Sequence, residues 1–131
     1  MDNKFSNKPA KILVVEDDPT TLKIITKILS SQPGFEVIGA TNGKEGLLLA
    51  KDTNPDIIIS DYSMPVMDGF ELCAAVKSDK ELESTIFILL TAISETDKKV
   101  QGFDIGVDDY LVKPYNPSEL ISKIKAFLKI K

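Results

Sequence analysis

The chain has 131 residues, of which 43% are hydrophobic and 27% are charged, a balance typical of one globular domain with a substantial core. Its net charge of -4 and sequence pI near 4.8 argue against binding to a nucleic-acid backbone, which depends on clustered basic residues. One cysteine and no histidine exclude an internal disulfide, His-ligated zinc, phosphohistidine donation and catalysis by Ser/His/Asp or Cys/His groups.

The first predicted segment is a flexible tail over residues 1–9. It lacks the apolar stretch of a secretory signal. The longest apolar runs in the chain hold about five residues, far short of the roughly 20 that span a bilayer. We therefore expect a cytoplasmic protein with no membrane partner, and a single domain over residues 10–131.

Five short apolar runs rich in Val, Ile, Leu and Phe predict the strands of a sheet. Their near-continuous apolarity is typical of parallel strands that are covered on both faces. The five runs comprise residues 11–15, 35–40, 56–60, 86–90 and 109–112.

A helical pattern follows each of these runs. The first helix is predicted to begin at Pro19 behind Asp18, which we interpret as its N-cap, and Asp68 is a similar cap for the third. The fourth is predicted over residues 94–105, with Gly106 as its C-terminal stop. Apolar stripes mark the other helices at Gly46, Leu47 and Ala50, at Phe70, Leu72, Cys73 and Val76, and at Leu120, Ile121, Ile124, Phe127 and Leu128.

The alternation of strand and helix, repeated five times, predicts an α/β fold with right-handed crossovers. We expect a five-stranded parallel sheet of order 2-1-3-4-5, one of two common orders, doubly wound in the flavodoxin-like manner with five helices. In that order the reversal lies between strands 1 and 3, and ligands bind outside the carboxyl ends of the strands beside it. These are the two strands whose apolar runs end in acids.

Polar residues follow four of the five predicted strands at this edge. They are Glu16 and Asp17 after strand 1, Asp61 after strand 3, Thr91 after strand 4, and Lys113 after strand 5. Taken singly, each acid is typical of a loop or a helix cap. Two carboxylates about 4 Å apart repel by roughly 4 kcal/mol at an effective dielectric of 20, so a cluster of them needs a cation. Open oxygen ligands suit Mg²⁺, which keeps several waters and often shares its shell with a phosphoryl group. Lys113 then offers that group a positive charge, and Thr91 offers it a hydroxyl donor.

Four motifs in this chain appear in an order that closely resembles the receiver domain of bacterial two-component response regulators, including the chemotaxis regulators. The motifs are VVEDDP, SDYSMPVMDG, LLTA and GVDDYLVKPY. The resemblance covers about residues 10–130. It implies a phosphoacceptor that assists its own phosphorylation and dephosphorylation, rather than an enzyme acting on other substrates.

The resemblance also implies roles for individual residues. Asp61 would be the phosphoacceptor, attacking the phosphohistidine of a histidine kinase or phosphotransfer protein. Asp17 would bind Mg²⁺ directly and Glu16 through water, with Asp61 and the backbone carbonyl of Ser63 as further ligands. Lys113 would pair with the phosphoryl group, and the Lys113-Pro114 bond is predicted to be cis.

A conformational switch follows from the same resemblance. Thr91 would hydrogen-bond the phosphoryl group, and Tyr110 would rotate into the space that Thr91 leaves. The change would be reported by the surface of helix 4, strand 5 and helix 5, to a downstream protein or in a homodimer formed on phosphorylation. No direct nucleic-acid contact is expected. Ser63 and Ile93, which flank the acyl phosphate, would tune its hydrolysis.

Two other functions compete with this interpretation. A Mg²⁺-dependent phosphatase of the haloacid dehalogenase type also uses a strand-end Asp, but it needs a second Asp where this chain has Ser63. A degenerate receiver would act only as an interaction module, although Asp17, Asp61, Thr91 and Lys113 are all present. The sequence leaves open whether the chain acts alone or belongs to a longer regulator or hybrid kinase.

Overall fold

Residues 8–92 and 99–129 are described by the structure, a computed structural model, without the side chains of Lys99 and Val100. Five parallel strands form one sheet in the order β2-β1-β3-β4-β5, which confirms the predicted fold class. The strands are β1 (Ala10–Val15), β2 (Phe35–Ala40), β3 (Ile57–Asp61), β4 (Ile86–Ala92) and β5 (Asp109–Lys113).

Three of the site residues lie within strands, although the sequence pattern placed them after strand ends. Asp61 pairs with Leu90, Thr91 pairs with Val112, and Ala92 pairs with Lys113. The ladder hydrogen bonds between neighbouring strands extend each strand past the point where its apolar run stops. The polar residues are therefore held by the rigid sheet itself.

The helices of the described residues are α1 (Pro19–Ser30), α2 (Gly43–Thr53), α3 (Gly69–Lys77), α4 (Lys99–Ile105) and α5 (Pro117–Lys129). The predicted caps are confirmed, because the carboxylates of Asp18 and Asp68 accept hydrogen bonds from backbone N–H groups in the first turns of α1 and α3. Gly106 ends α4 with a φ of 126°, a conformation that favours glycine. The predicted start of this helix near Ser94 lies outside the described residues. Among those residues, no helix combines the length and apolarity needed to cross a membrane.

Two apolar clusters cover the two faces of the sheet. Alternate residues of the strands face opposite ways, so Leu13 and Ile58 belong to one cluster while Ile12 and Ile57 belong to the other. Helices α2, α3 and α4 cover the first face, and α1 and α5 cover the second. Cys73 is fully buried in the first cluster, where burial raises the pKa of its thiol to about 12, in agreement with a packing role.

The amino-terminal edge of the sheet, where β4 and β5 begin, is closed by hydrogen bonds. The Lys77 ammonium donates to the Thr85 carbonyl at 2.7 Å and forms an ion pair of 3.0 Å with Asp108. The Asp108 carboxylate also accepts from the Phe87 N–H at 2.8 Å. The Thr85 hydroxyl donates to the Pro55 carbonyl. The polar groups named here are all paired within the protein.

Candidate functional site

The carboxyl-terminal edge of the sheet brings three acids together. Glu16 and Asp17 leave the end of β1, and Asp61 ends the neighbouring strand β3. Carboxylate oxygens of the three residues lie within 4.8 Å of one another. Glu16 and Asp61 are buried, whereas Asp17 is exposed. The predicted acid cluster is thus assembled by the topology, and its oxygen atoms could hold a metal ion.

Glu16 is fixed by the turn that follows β1. Its N–H donates to the Ala40 carbonyl at 3.0 Å, and its Oε2 accepts from the Asp18 N–H at 3.0 Å. The other oxygen, Oε1, is buried and has no hydrogen-bond partner in the part of the chain that the structure describes. A buried, unpaired carboxylate oxygen is costly to the fold, so this atom is a candidate ligand position.

Within the described parts of the chain, one ammonium group faces the acids. Lys113 Nζ lies 2.6 Å from Asp61 Oδ1, in an ion pair that joins β5 to β3 across β4. Burial raises the pKa of Glu16 above its ordinary value, and the negative charge of Asp61 adds to the rise. The Asp18 N–H and the Lys113 ammonium act in the opposite direction. The described residues of the site therefore carry an excess of negative charge.

Thr91 and Tyr110 share one face of the sheet. Thr91 lies two residues after Leu89 on β4, and Leu89 pairs with Tyr110 on β5, so all three side chains project the same way. Thr91 is buried, and no described residue hydrogen-bonds its hydroxyl. Tyr110 is already buried in this structure, with burial raising the pKa of its phenol to about 12.

Of the two residues predicted to influence hydrolysis of the aspartyl phosphate, the structure describes one. Ser63 is exposed in the loop between β3 and α3, two residues after Asp61. The same loop contains Val66, which is 81% exposed and has a φ of 73°, an unusual conformation for a β-branched residue. Ile93 lies outside the described residues.

Tyr115 is a neighbour of the site that the sequence reasoning missed. Burial raises the pKa of its phenol, and the charges of Glu16 and Asp61 contribute to the rise. Its place at the end of the motif GVDDYLVKPY, two residues after Lys113, was the available signal. The Lys113-Pro114 bond between them is cis, as predicted.

Comparison with known proteins identifies this arrangement. A family model described as the response regulator receiver domain matches residues 12–125. RpaA of Synechocystis, named as a DNA-binding dual master transcriptional regulator, is 34% identical over 119 residues, which are 91% of this chain and 49% of RpaA.

Two solved structures show the same fold. The chemotaxis response regulator CheY4 of Vibrio cholerae has a TM-score of 0.84 at 35% identity, covering 92% of this chain and 99% of CheY4. The second is the receiver domain of the sensor histidine kinase PA1611 from Pseudomonas aeruginosa, described with a magnesium ion coordinated in its active site cleft. Its TM-score is 0.83 at 26% identity, and the match covers 92% of this chain and 98% of the PA1611 receiver domain.

The chain spans about half the length of the curated relatives it matches. Because RpaA is named as DNA-binding, the expectation that this protein has no nucleic-acid partner is not supported. The family model covers most of the chain, and the fold agrees with that of CheY4 over 92% of the chain. The chain therefore belongs to the response regulator receiver domain family of two-component signalling systems.

Proposed function

We propose that Asp61 is the phosphoacceptor of this receiver domain and takes its phosphoryl group from a histidine kinase or phosphotransfer protein. The observation that carries the proposal is the buried Asp61 carboxylate, which lies among two further carboxylates and 2.6 Å from the Lys113 ammonium. No histidine is present in this sequence, so the phosphohistidine must lie outside these 131 residues.

In the proposed reaction, an oxygen of Asp61 attacks the phosphorus of the phosphohistidine. A new O–P bond forms, the N–P bond breaks, and the imidazole leaves with the electron pair of that bond and takes up a proton. The product is an aspartyl phosphate. The protein contributes position and charge, as is usual in phosphoryl transfer. Lys113 neutralises a phosphoryl oxygen, and the hydroxyl of Thr91, which has no partner among the described residues, donates a hydrogen bond to another.

The residues of the site fit a magnesium ion. Glu16, Asp17 and Asp61 offer hard oxygen ligands, which Mg²⁺ prefers, and the buried Oε1 of Glu16 has no partner among the described residues. We place the Ser63 backbone carbonyl with them as the remaining protein ligand. The ion supplies charge neutralisation for the transferred phosphoryl group. The magnesium named for the PA1611 receiver domain supports this assignment.

Phosphorylation would then bias an equilibrium between two arrangements of Thr91 and Tyr110. The face formed by α4, β5 and α5 would report the change to a downstream protein, to a second copy of the chain, or to another domain of a longer protein. The chain would act in the cytoplasm as a phosphoacceptor and not as an enzyme with other substrates.

Labelling with a small phosphodonor and Mg²⁺ tests the proposal. Mass mapping should place the phosphoryl group on Asp61, and Asp61→Asn should not be labelled. Asp108→Asn is the matched control, because Asp108 is also paired with a lysine but lies at the opposite edge of the sheet. Robust labelling of Asp61→Asn at another residue would contradict the assignment.

The lifetime of the aspartyl phosphate is a further part of the proposal. Ser63 is short, and the side chain of Ile93 cannot hydrogen-bond, so neither is expected to orient an attacking water well. We therefore expect slow self-dephosphorylation. The double variant Ser63→Asn/Ile93→Glu should shorten the phosphorylated lifetime at fixed Mg²⁺ and pH. A lifetime equal to that of the wild type would show that these side chains do not set the rate.

A further inference from the structure

Gly102 lies in α4 against the hydroxyl end of the Tyr110 side chain. A Cβ atom built at Gly102 would overlap with the Tyr110 hydroxyl oxygen and would lie 2.8 Å from both Tyr110 Cζ and Phe70 Cε1. No real side chain tolerates these contacts. The orientation that Tyr110 adopts here therefore requires that residue 102 has no side chain.

Helix propensity makes this glycine unexpected. It lies in the middle of the seven-residue helix Lys99–Ile105, where alanine would stabilise the helix better. A glycine in a helix interior raises the conformational entropy lost on folding and contributes no packing. The close approach of Tyr110 gives a physical reason for its presence.

Phe103 connects Tyr110 to the surface. Its ring packs edge-on against the Tyr110 ring, with centroids 5.0 Å apart and an interplanar angle of 77°. Tyr110 is 6% exposed, whereas Phe103 is 51% exposed. A change in the orientation of Tyr110 would remove a packing partner from an aromatic side chain that solvent or another protein can contact.

We propose that Gly102 is a positioning residue. Because it has no side chain, it leaves a space in which the Tyr110 hydroxyl end fits, and this space, called the seat below, holds Tyr110 in its buried orientation. Phe103, whose ring packs on Tyr110, makes this orientation detectable at the surface of α4. The seat exists without a phosphoryl group, so it can be tested independently of phosphorylation. Only the coupling of the seat to signalling rests on the function proposed for Asp61.

A double-mutant cycle tests the seat directly. Gly102→Ala should lower stability to urea when Tyr110 is present, because the new methyl group and the hydroxyl compete for one place. In the Tyr110→Ala background the same change should instead raise the folded-to-unfolded ratio by about fivefold, the ordinary gain from glycine to alanine in a helix. An equal effect of Gly102→Ala in both backgrounds would overturn the proposal. If Gly102→Ala alone does not fold, the double variant should fold, and its failure would also overturn it.

Nuclear Overhauser effects report the orientation of the Tyr110 ring directly. The wild type should show effects between the Tyr110 ring and both the Gly102 α-protons and the Phe103 ring, and Gly102→Ala should lose them. Gly39→Ala is the matched control. Gly39 lies on β2, away from Tyr110, and the nearest atoms to a Cβ built there are side-chain atoms of α1 at 3.3 Å or more. Retention of the Tyr110 effects in Gly102→Ala would show that Gly102 does not position the ring.

The chain has no tryptophan, so Phe103→Trp introduces a single fluorescent reporter beside Tyr110. Its emission should change in Gly102→Ala and not in Gly39→Ala. Treatment with a small phosphodonor and Mg²⁺ should also change the emission, in parallel with the mass increase on Asp61. An unchanged emission in Gly102→Ala would overturn the role of Phe103. Labelling of Asp61 without a change in emission would overturn the coupling of the seat to signalling, whereas absence of labelling would count against the function proposed for Asp61.

Discussion

The two edges of the sheet differ in how far their described polar groups are paired. At the amino-terminal edge, the Lys77 ammonium and the Asp108 carboxylate neutralise each other, and each also binds a backbone group. At the carboxyl-terminal edge, three carboxylates face one described ammonium. There, Glu16 Oε1 and Thr91 Oγ1 are buried without a partner in the described parts of the chain.

Buried polar atoms in folded proteins are normally hydrogen-bonded, because an unpaired one costs about 1–3 kcal/mol. The amino-terminal edge shows that this sequence is able to pair its strand-end groups fully. The fold therefore does not require that polar atoms at the other edge lack a partner among the described residues. Those atoms are places where a bound ion or phosphoryl group can complete the structure, and the following experiments test this difference between the edges.

The largest difference in the rate of Asp61 labelling is expected between variants of two lysines that both pair with aspartates. Lys113→Ala should slow labelling of Asp61 by a small phosphodonor about 100-fold or more, because it removes a positioned charge from the transition state. Lys77→Ala should be labelled at the wild-type rate, since its ion pair lies at the opposite edge. Labelling rates measured by intact mass distinguish the two. Equal slowing by both substitutions would show that the effect comes from general destabilisation.

Magnesium should stabilise the folded protein through the carboxyl-terminal edge alone. A ligand at 100 times its dissociation constant adds about 2.7 kcal/mol to the free energy of unfolding. Urea unfolding in Mg²⁺ and in EDTA should show this increase for the wild type and for Asp108→Asn. Asp17→Asn should lose it, because an exposed ligand is removed from the acid cluster. An unchanged increase in Asp17→Asn would exclude Asp17 from the metal site.

At the amino-terminal edge, stability should depend on the pairing of Asp108. Asp108→Ala leaves the Phe87 N–H and the Lys77 ammonium without this acceptor, so the free energy of unfolding should fall by about 1–3 kcal/mol. Asp104→Ala, an exposed acid on α4, should change it by less than about 0.5 kcal/mol. Urea midpoints measure both. Similar values for the two variants would show that the Asp108 network does not stabilise the edge.

The smallest effect concerns pH and Glu16. The pKa of Glu16 is raised in the folded protein, mainly by burial, so ionisation of this group destabilises the fold. Without metal, the wild type should lose stability as the pH rises from about 4.5, the unfolded value, through the folded-state pKa. Glu16→Gln cannot ionise, so it should be more stable than the wild type at pH 7, and the difference should vanish below pH 4.5.

Urea unfolding in EDTA at both pH values checks this expectation. The control is Glu36→Gln, an exposed carboxylate on β2, which should change the free energy of unfolding by less than about 0.5 kcal/mol at either pH. A Glu16→Gln variant no more stable than the wild type at pH 7 would contradict the cost assigned to this buried acid.

The fold was predictable because its signals are local. Apolar runs of four to six residues alternate with helical patterns, and Asp18, Asp68 and Gly106 mark helix ends by their own chemistry. The gathering of the acids was also predictable, because parallel strands bring their carboxyl ends to one edge. The roles of the individual site residues in phosphoryl transfer remain predictions.

Other features depend on packing between distant segments and have no local signal. The sequence does not show that Glu16 is buried while Asp17 is exposed, or that Lys113 selects Asp61 as its partner. The fit of Tyr110 against Gly102 is similar, because it depends on how α4 lies across β5. A glycine inside the predicted fourth helix is the sequence feature that points to it.

The Lys113–Asp61 pair has a consequence for chemical modification of the protein. The sequence contains no arginine, so all 16 of its basic residues are lysines. The side chain of Lys113 is 36% exposed, whereas that of Lys77 is 19% exposed. Acetylation converts an ammonium into a neutral amide. An acetyl donor should therefore neutralise Lys113, which pairs with the acid cluster, more readily than Lys77 at the opposite edge. Any preparation compared for labelling should first be shown to carry unacylated Lys113.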